Sequence, residues 1–240
     1  MKEDLVFIVL SATGNLNVLR QIEWQSLLKW LHPRTGIAVL DVACGSGTLS
    51  MKLAEAGCAV VGFDVSRTGI GYATRLAARL RMPCEFSIQN AENIALVKES
   101  FDVVVCSSAL QQMKSDMDVL REIHRVLKPG GRLLLTCDSE TFPSGREWRD
   151  AHSSTAKVVN YYTRETLQTS LGCVGLRLVR FKYLINSNAS DFFYRFGIRQ
   201  EWAGLLWIIV SLTAYPVCVV ADWLLGRRDV GHSLLVEAIK

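Results

Sequence analysis

Val39-Leu40-Asp41-Val42-Ala43-Cys44-Gly45-Ser46-Gly47-Thr48 carries a β-branched apolar run into a Gly-x-Gly turn and then into a helix-period segment. A turn this tight, with a backbone open to close approach by a ligand, needs residues without Cβ. A plain loop is built the same way, so the turn acquires meaning from the residues downstream of it. A dinucleotide-binding fingerprint continues to a third glycine. That position is Ser50, which leaves the pyrophosphate-cradling version incomplete. The next apolar run ends at Gly62-Phe63-Asp64. This puts a carboxylate about twenty residues past the first glycine, where an acidic side chain accepts both hydroxyls of a ribose. Asp64 is equally placed to cap the next helix.

Outward from this turn, short β-branched runs alternate with helix-period segments, the pattern of βαβ units around a doubly wound parallel sheet. The spacing predicts strands at 37–43, 58–64, 84–89, 101–107 and 132–137, and helices at 48–56, 68–80 and 116–127. Lys128-Pro129-Gly130-Gly131 stops the last of these. Beyond Cys137 a polar stretch reaches Asn160, followed by a helix at 164–171, a strand at 176–185 and a final strand at 233–240. With 240 residues, half of them apolar, the chain is long enough for one full core.

Two carboxylates at the turn, Asp41 and Asp64, suit a cofactor with a cationic amino-acid end and no phosphate, such as S-adenosyl-L-methionine. NAD would place its pyrophosphate in the field of Asp41. In order, VLDVACGSGTLS, GFDVS, NAENI, FDVVVCSSALQQM and REIHRVLKPGGRLLLT resemble the successive motifs of class I S-adenosylmethionine-dependent methyltransferases. The resemblance is to the branch that holds the ubiquinone and menaquinone biosynthesis methyltransferases. It covers residues 37–137 closely and 161–185 loosely.

The resemblance implies a Rossmann-like, doubly wound seven-stranded α/β sheet, mostly parallel with an antiparallel last strand. The chain itself reads as one methyltransferase domain over 1–240, with an N-terminal helix at 15–36, a cofactor-binding core at 37–137 and a substrate-side region at 138–185. A hydrophobic helical insertion at 186–232 and the final strand at 233–240 complete it. Carried over position by position, Asp41, Gly45 and Gly47 line the methionine end of S-adenosyl-L-methionine, with Ala43 beside them. Asp64 holds the ribose, with Val65 next to it. Asn90 and Ala91 stand where the family has Asp-Ala beside the adenine amino group, and Ser107 follows the fourth strand near the methionine moiety. Three positions depart from the family: Asn90 replaces an aspartate, Ile94-Ala95-Leu96 replaces Leu-Pro-Phe, and Gln111-Gln112 stands where a histidine is often found. An asparagine side-chain oxygen still accepts from an adenine amino group.

Methyl transfer from a sulfonium is an in-line displacement, so alignment and exclusion of water matter more than a protein nucleophile. An oxygen or carbon acceptor also needs a proton removed. His152 and Tyr161 come after the fifth strand, where this architecture folds its substrate-facing elements, and are the expected acid/base or positioning residues. His124 reads as a surface residue of its helix, and His32-Pro33 as a helix end. No His, Cys or carboxylate cluster has metal-ligand spacing, so no metal is expected.

A net charge of +4, from 27 basic and 23 acidic residues, with no basic run longer than Arg227-Arg228, argues against a nucleic-acid partner. Seven scattered cysteines without a CxxC pair read as reduced thiols, placing the chain in the cytoplasm. MKEDLVFIVLSATG reads as mature sequence, since Glu3 and Asp4 precede its apolar run. Residues 202–221, WAGLLWIIVSLTAYPVCVVA, are twenty residues without a charge. A single crossing would strand the last β-strand on the far side of a bilayer. Three readings remain: a broken helix bent at Tyr215-Pro216 that dips into one leaflet, a helix lying in the interface, or a buried cap or dimer surface. Phe192-Phe193-Tyr194-Arg195-Phe196 and the flanking arginines favour peripheral membrane contact through 192–228, at the cytoplasmic face, with a small-molecule or lipid-like acceptor. The competing functions are a noncatalytic, membrane-associated S-adenosylmethionine-binding interaction protein and a nucleotide-dependent oxidoreductase. The oligomeric state is left open.

Overall fold

The apolar run after Ile37 forms β1 (Ala38–Val42), the central strand of a seven-stranded sheet. A computed structural model describes residues 18–142, 149–150, 152–154, 157–199 and 205–240. The remaining strands are β2 (Ala59–Asp64), β3 (Cys84–Ile88), β4 (Phe101–Ser107), β5 (Leu127–Asp138), β6 (Arg177–Leu184) and β7 (Ser233–Ile239), in spatial order β3-β2-β1-β4-β5-β7-β6. β1 to β5 pair in parallel, and β7 runs antiparallel between β5 and β6. This is the expected Rossmann-like sheet with an antiparallel last strand. The strand order reverses between β1 and β4, which opens a crevice at their carboxyl ends.

The helices are α1 (Val18–Leu31), α2 (Thr48–Glu55), α3 (Arg67–Leu80), α4 (Asp116–Val126), α5 (Arg164–Cys173), α6 (Asn188–Arg199) and α7 (Leu205–Leu225). α1 ends at Leu31, short of the expected 36, because Pro33 disfavours helical backbone at His32, whose φ is 52°. Residues 15–17 of that expected helix, and the stretch MKEDLVFIVLSATG, lie outside the described residues. A second boundary also differs from the sequence-based expectation. Lys128-Pro129-Gly130-Gly131 does not separate a helix from a later strand but forms the first part of β5, where the register against β4 shifts between Phe101 and Val103. Proline and glycine are tolerated at such an irregularity because the ladder is interrupted there.

Strand residues alternate between two cores, as a period of two requires. Leu40, Val42, Val104, Cys106, Leu133 and Leu135 face Val119, Leu120 and Ile123 of α4 and Leu167 and Leu171 of α5. Val39, Val103, Val105 and Leu134 face the other way, with Leu27 and Leu31 of α1, Leu49 and Leu53 of α2, Tyr194 of α6, and Ala214 and Cys218 of α7. The described part of the hydrophobic insertion therefore packs on the domain, with Ala214 and Cys218, one turn apart, turned inward.

α7 runs through Pro216 as a single helix, so the break foreseen at Tyr215-Pro216 does not divide it. Away from that face Val217, Val220, Trp223 and Leu224 are exposed, Trp223 at 82%, as is Leu225 at the end of the helix. Residues 200–204 of the insertion are outside the described set. Among the residues whose side chains are described, no helix is long and apolar enough to cross a membrane. The seven cysteines are free thiols.

Candidate functional site

The turn after β1 is left-handed at three residues: Ala43 (φ 56°), Gly45 (φ 56°) and Gly47 (φ 72°). The two glycines serve different ends. A Cβ on Gly47 would stand 2.6 Å from the Phe86 ring, so this glycine lets β3 and α3 close against the loop. A Cβ on Gly45 would meet nothing within 4 Å, so its face is open to a ligand. Asp64, at the end of β2, ties the loop to the next helix. Its Oδ2 accepts from the Gly45 N–H at 2.9 Å and its Oδ1 from the Ser66 N–H at 2.8 Å. The helix-capping and ribose-holding roles open to Asp64 are compatible, since each carboxylate oxygen keeps a second lone pair. The cap of α3 itself is Ser66, whose Oγ accepts from the Gly69 N–H at 3.1 Å.

Asp41 is placed beneath this loop rather than on it, 2% exposed, and Ser50 Oγ donates to its Oδ2 at 2.6 Å. Ser50, where a dinucleotide fingerprint has its third glycine, is thus the partner of the buried acid. Burial pushes the Asp41 carboxyl up to about 7, against the Ser50 hydrogen bond and with a smaller push from Asp64. Val65 is 68% exposed beside Asp64. Ala91 is buried, and the exposed Asn90 closes its own turn, its Oδ1 accepting from the Glu92 N–H at 3.1 Å. Ser107 Oγ and Thr136 Oγ1 are 3.3 Å apart at the ends of β4 and β5.

A second polar group lies along the same edge of the sheet, over the carboxyl ends of β4 and β5. His152 Nδ1 and Tyr161 Oη are 2.9 Å apart, so the two residues expected on the substrate side do meet. Tyr161 Oη also lies 3.0 Å from Ser153 Oγ. The other ring nitrogen of His152 lies 3.1 Å from Tyr194 Oη and 3.8 Å from Asp138 Oδ2. Burial pulls the His152 imidazole down to about 4, helped by His232. The ring is therefore neutral near pH 7, with one tyrosine accepting from it and the other donating to it.

Asp138 is 4% exposed, and burial, with the nearby Glu23, pushes its carboxyl up to about 7. Glu23 comes from α1 and is fully buried. It accepts from Ser108 Oγ at 2.7 Å and 2.8 Å, from Ser233 Oγ at 2.6 Å and from Arg20 Nη1 at 3.3 Å. Asp138 and Ser233 are register partners across β5 and β7, which places these groups side by side. His232 Nε2 lies 2.5 Å from Asp191 Oδ1, and its ring stacks on Phe142 at 4.0 Å.

The sequence pattern points to His152 and Tyr161 here but not to Glu23, Ser108, Gln111, Asp138, Tyr194 or His232. Asp138 carries a readable signal, a carboxylate at the end of an otherwise apolar strand. Glu23 carries none, because a glutamate on a helix is ordinarily a solvated one. His124 stays apart from the cluster, half-buried on α4 against Gly175. Among the described residues no group of three or more His, Cys, Asp or Glu is arranged to hold a metal ion.

Residues 33–180 match a family profile described as a methyltransferase domain. A ubiquinone biosynthesis O-methyltransferase of Pseudomonas paraeruginosa is 33% identical over 113 residues, 45% of this chain and 49% of that protein. One of Coxiella burnetii is 31% identical over 124 residues, 52% of this chain and 50% of that protein. The chain thus spans about half the length of the curated relatives it matches. Among solved structures, an S-adenosylmethionine-dependent methyltransferase from Mesorhizobium loti superposes with a TM-score of 0.66 at 22% identity, over 91% of this chain and 98% of that one. The [4+2]-cyclase SpnF superposes with a TM-score of 0.67 at 21% identity, over 90% and 79%. At these identities the superpositions establish the fold alone.

Proposed function

From the premise that this chain belongs to the class I S-adenosylmethionine-dependent methyltransferases, we propose that it moves the methyl group of S-adenosyl-L-methionine to a small or lipid-like acceptor at a membrane surface. The observation that carries the proposal is the placement of the two polar groups on one sheet edge. The Gly45 loop follows β1 and the His152–Asp138 group caps β5, with β4 between them. Two strand spacings are roughly 10 Å, about the span between a cofactor's ribose and an acceptor beyond its methyl group. S-adenosyl-L-methionine supplies an electrophilic methyl group on a sulfonium.

The residues fit that cofactor. Gly45 leaves open space where any side chain would stand, Asp64 keeps lone pairs for ribose hydroxyls, and Val65 offers an exposed apolar surface beside it. Gly45 and Gly47 shape the turn for the methionine end, with Ala43 and the buried Asp41 behind it. Asn90 and Ala91 flank the adenine, and Ser107 lies on the methionine side. His152 and Tyr161 position the acceptor and shut out water, which strengthens every charge interaction in the site.

Fold alone does not imply methyl transfer, as the neighbouring cyclase illustrates. Calorimetry with S-adenosylmethionine and with NAD, followed by turnover of labelled methyl groups on extracted lipids and small-molecule pools, tests the proposal. Cofactor binding and a labelled product are expected. Binding of NAD alone would return the oxidoreductase reading, and cofactor binding without any labelled product would return the noncatalytic one.

Peripheral contact through 192–228 is part of the same proposal. Trp223, Leu224 and Leu225 are exposed in a row beside Arg227 and Arg228, pairing apolar anchors with charge for anionic lipid headgroups.

A further inference from the structure

We infer that Asp138, beside Gln111, is the base that takes the proton of a hydroxyl-bearing acceptor, and that His152 positions rather than deprotonates it. This rests on the methyltransferase reading above and adds the chemical class of the acceptor. Gln111 lies after β4 in a short 3-10 turn, 3% exposed, and its side chain faces the Asp138 carboxyl. Gln111 Oε1 is buried without any hydrogen-bond partner. A buried, unpartnered acceptor is costly, and such an atom beside a carboxyl group marks a place for a donor. The two neighbouring acceptors, Gln111 Oε1 and Asp138, suit a neutral O–H group or a pair of them.

His152 is the obvious alternative base, and its contacts argue against it. Both ring nitrogens lie within hydrogen-bond distance of tyrosine hydroxyls, at 2.9 Å and 3.1 Å, so no lone pair is left for a substrate. Its proton affinity is depressed, whereas burial leaves Asp138 half-protonated near neutral pH, the range in which general bases work best. Glu23 and Asp191 also face the group from α1 and α6, but both oxygens of Glu23 are taken by Ser108, Ser233 and Arg20, and Asp191 is engaged through Oδ1 by His232 and Arg195. Asp138 and Gln111 are both buried, 4% and 3% exposed.

In the transfer step the acceptor O–H bond breaks and its proton passes to an Asp138 carboxylate oxygen. The oxygen's electron pair forms the bond to the methyl carbon. The carbon–sulfur pair returns to sulfur, leaving a neutral thioether and an ether product.

The test uses the full chain with S-adenosylhomocysteine and 4-nitrophenol, whose ionisation is visible as the phenolate absorbance band. Wild type is expected to bind the probe as phenolate. Asp138→Asn should bind it as neutral phenol with unchanged S-adenosylhomocysteine affinity, and Asp138→Glu should restore part of the band. With S-adenosylmethionine, methylation of the probe should fall at least 100-fold in Asp138→Asn and lose its acid limb in the pH profile. Gln111→Leu should raise KM about 10-fold more than it lowers kcat, and provides a second reading should Asp138→Asn not fold. The inference is overturned by wild type binding the probe as neutral phenol or not at all, by alkylamines being methylated in its place, or by Asp138→Asn keeping turnover within threefold. Failure of wild type to bind S-adenosylhomocysteine would instead overturn the methyltransferase reading itself.

Discussion

Asp64→Asn separates the structural from the ligand-binding work of one carboxylate. In the free protein, one Asp64 oxygen holds the Gly45 N–H and the other the Ser66 N–H. An asparagine keeps one carbonyl oxygen for one of these donors and turns an NH2 toward the other. The variant therefore loses one charge-assisted hydrogen bond, about 1.5–3 kcal/mol, reduced because Asp64 is half-exposed and water replaces part of it. A net loss of about 1 kcal/mol lowers the Tm of a chain this size by roughly 2–4 °C. Cofactor binding changes by a separate amount, because the ribose hydroxyls lose an anionic acceptor. At about 1–3 kcal/mol for that contact, the Kd for S-adenosylhomocysteine should rise roughly 5- to 150-fold. Calorimetry reads the Kd and a thermal melt reads the stability on the same sample. A Tm that falls while the Kd stays within twofold of wild type would make Asp64 a link between loop and helix and remove it from the cofactor site.

Other outcomes are set by the same geometry. The carboxyl of Asp41 is raised from 3.8 to about 7 by burial, so the folded chain binds a proton that the unfolded chain releases between those values. Its contribution to stability is then lost as pH rises from about 4 to 7, by roughly 1–4 kcal/mol; Asp41→Asn should flatten that slope in urea titrations at several pH values, and an unchanged slope would assign it elsewhere. Gly47→Ala should destabilise by about 2–4 kcal/mol, from left-handed strain and the Phe86 contact. Gly45→Ala should cost only about 1–2 kcal/mol of strain yet weaken S-adenosylhomocysteine more, and equal effects of the two on binding would contradict an open ligand face at Gly45. Trp223→Glu combined with Leu225→Glu should abolish flotation with anionic liposomes while leaving stability within about 0.5 kcal/mol; undiminished flotation would end the membrane proposal.

Much of the cofactor half is legible because it is local. The glycine turn, the acid at the end of β2 and the alternation of strands and helices each depend on residues near in sequence, where backbone sterics and periodicity decide. Even there the sequence does not show that Ser50 partners Asp41, a bond across nine residues made by the packing of α2 against β1. The substrate half is less legible. His152 and Tyr161 stand out by their place after the fifth strand, but the groups around them come from α1, α6, the turn after β4 and the start of β7, up to 210 residues apart in the bond from Ser233 to Glu23.

The sequence by itself determined the fold class, the strand order's likeness to its family and the cofactor, because those depend on short-range patterns of glycine, charge and hydrophobic period. Only the tertiary structure decided which side chains gather over the ends of β4 and β5 and how burial shifts them. Burial is a property of the whole packing: it raises the Asp138 carboxyl to about 7 and makes His152 a neutral hydrogen-bonding partner. The desolvation that does this exists only once α1, α6 and the sheet have closed over them.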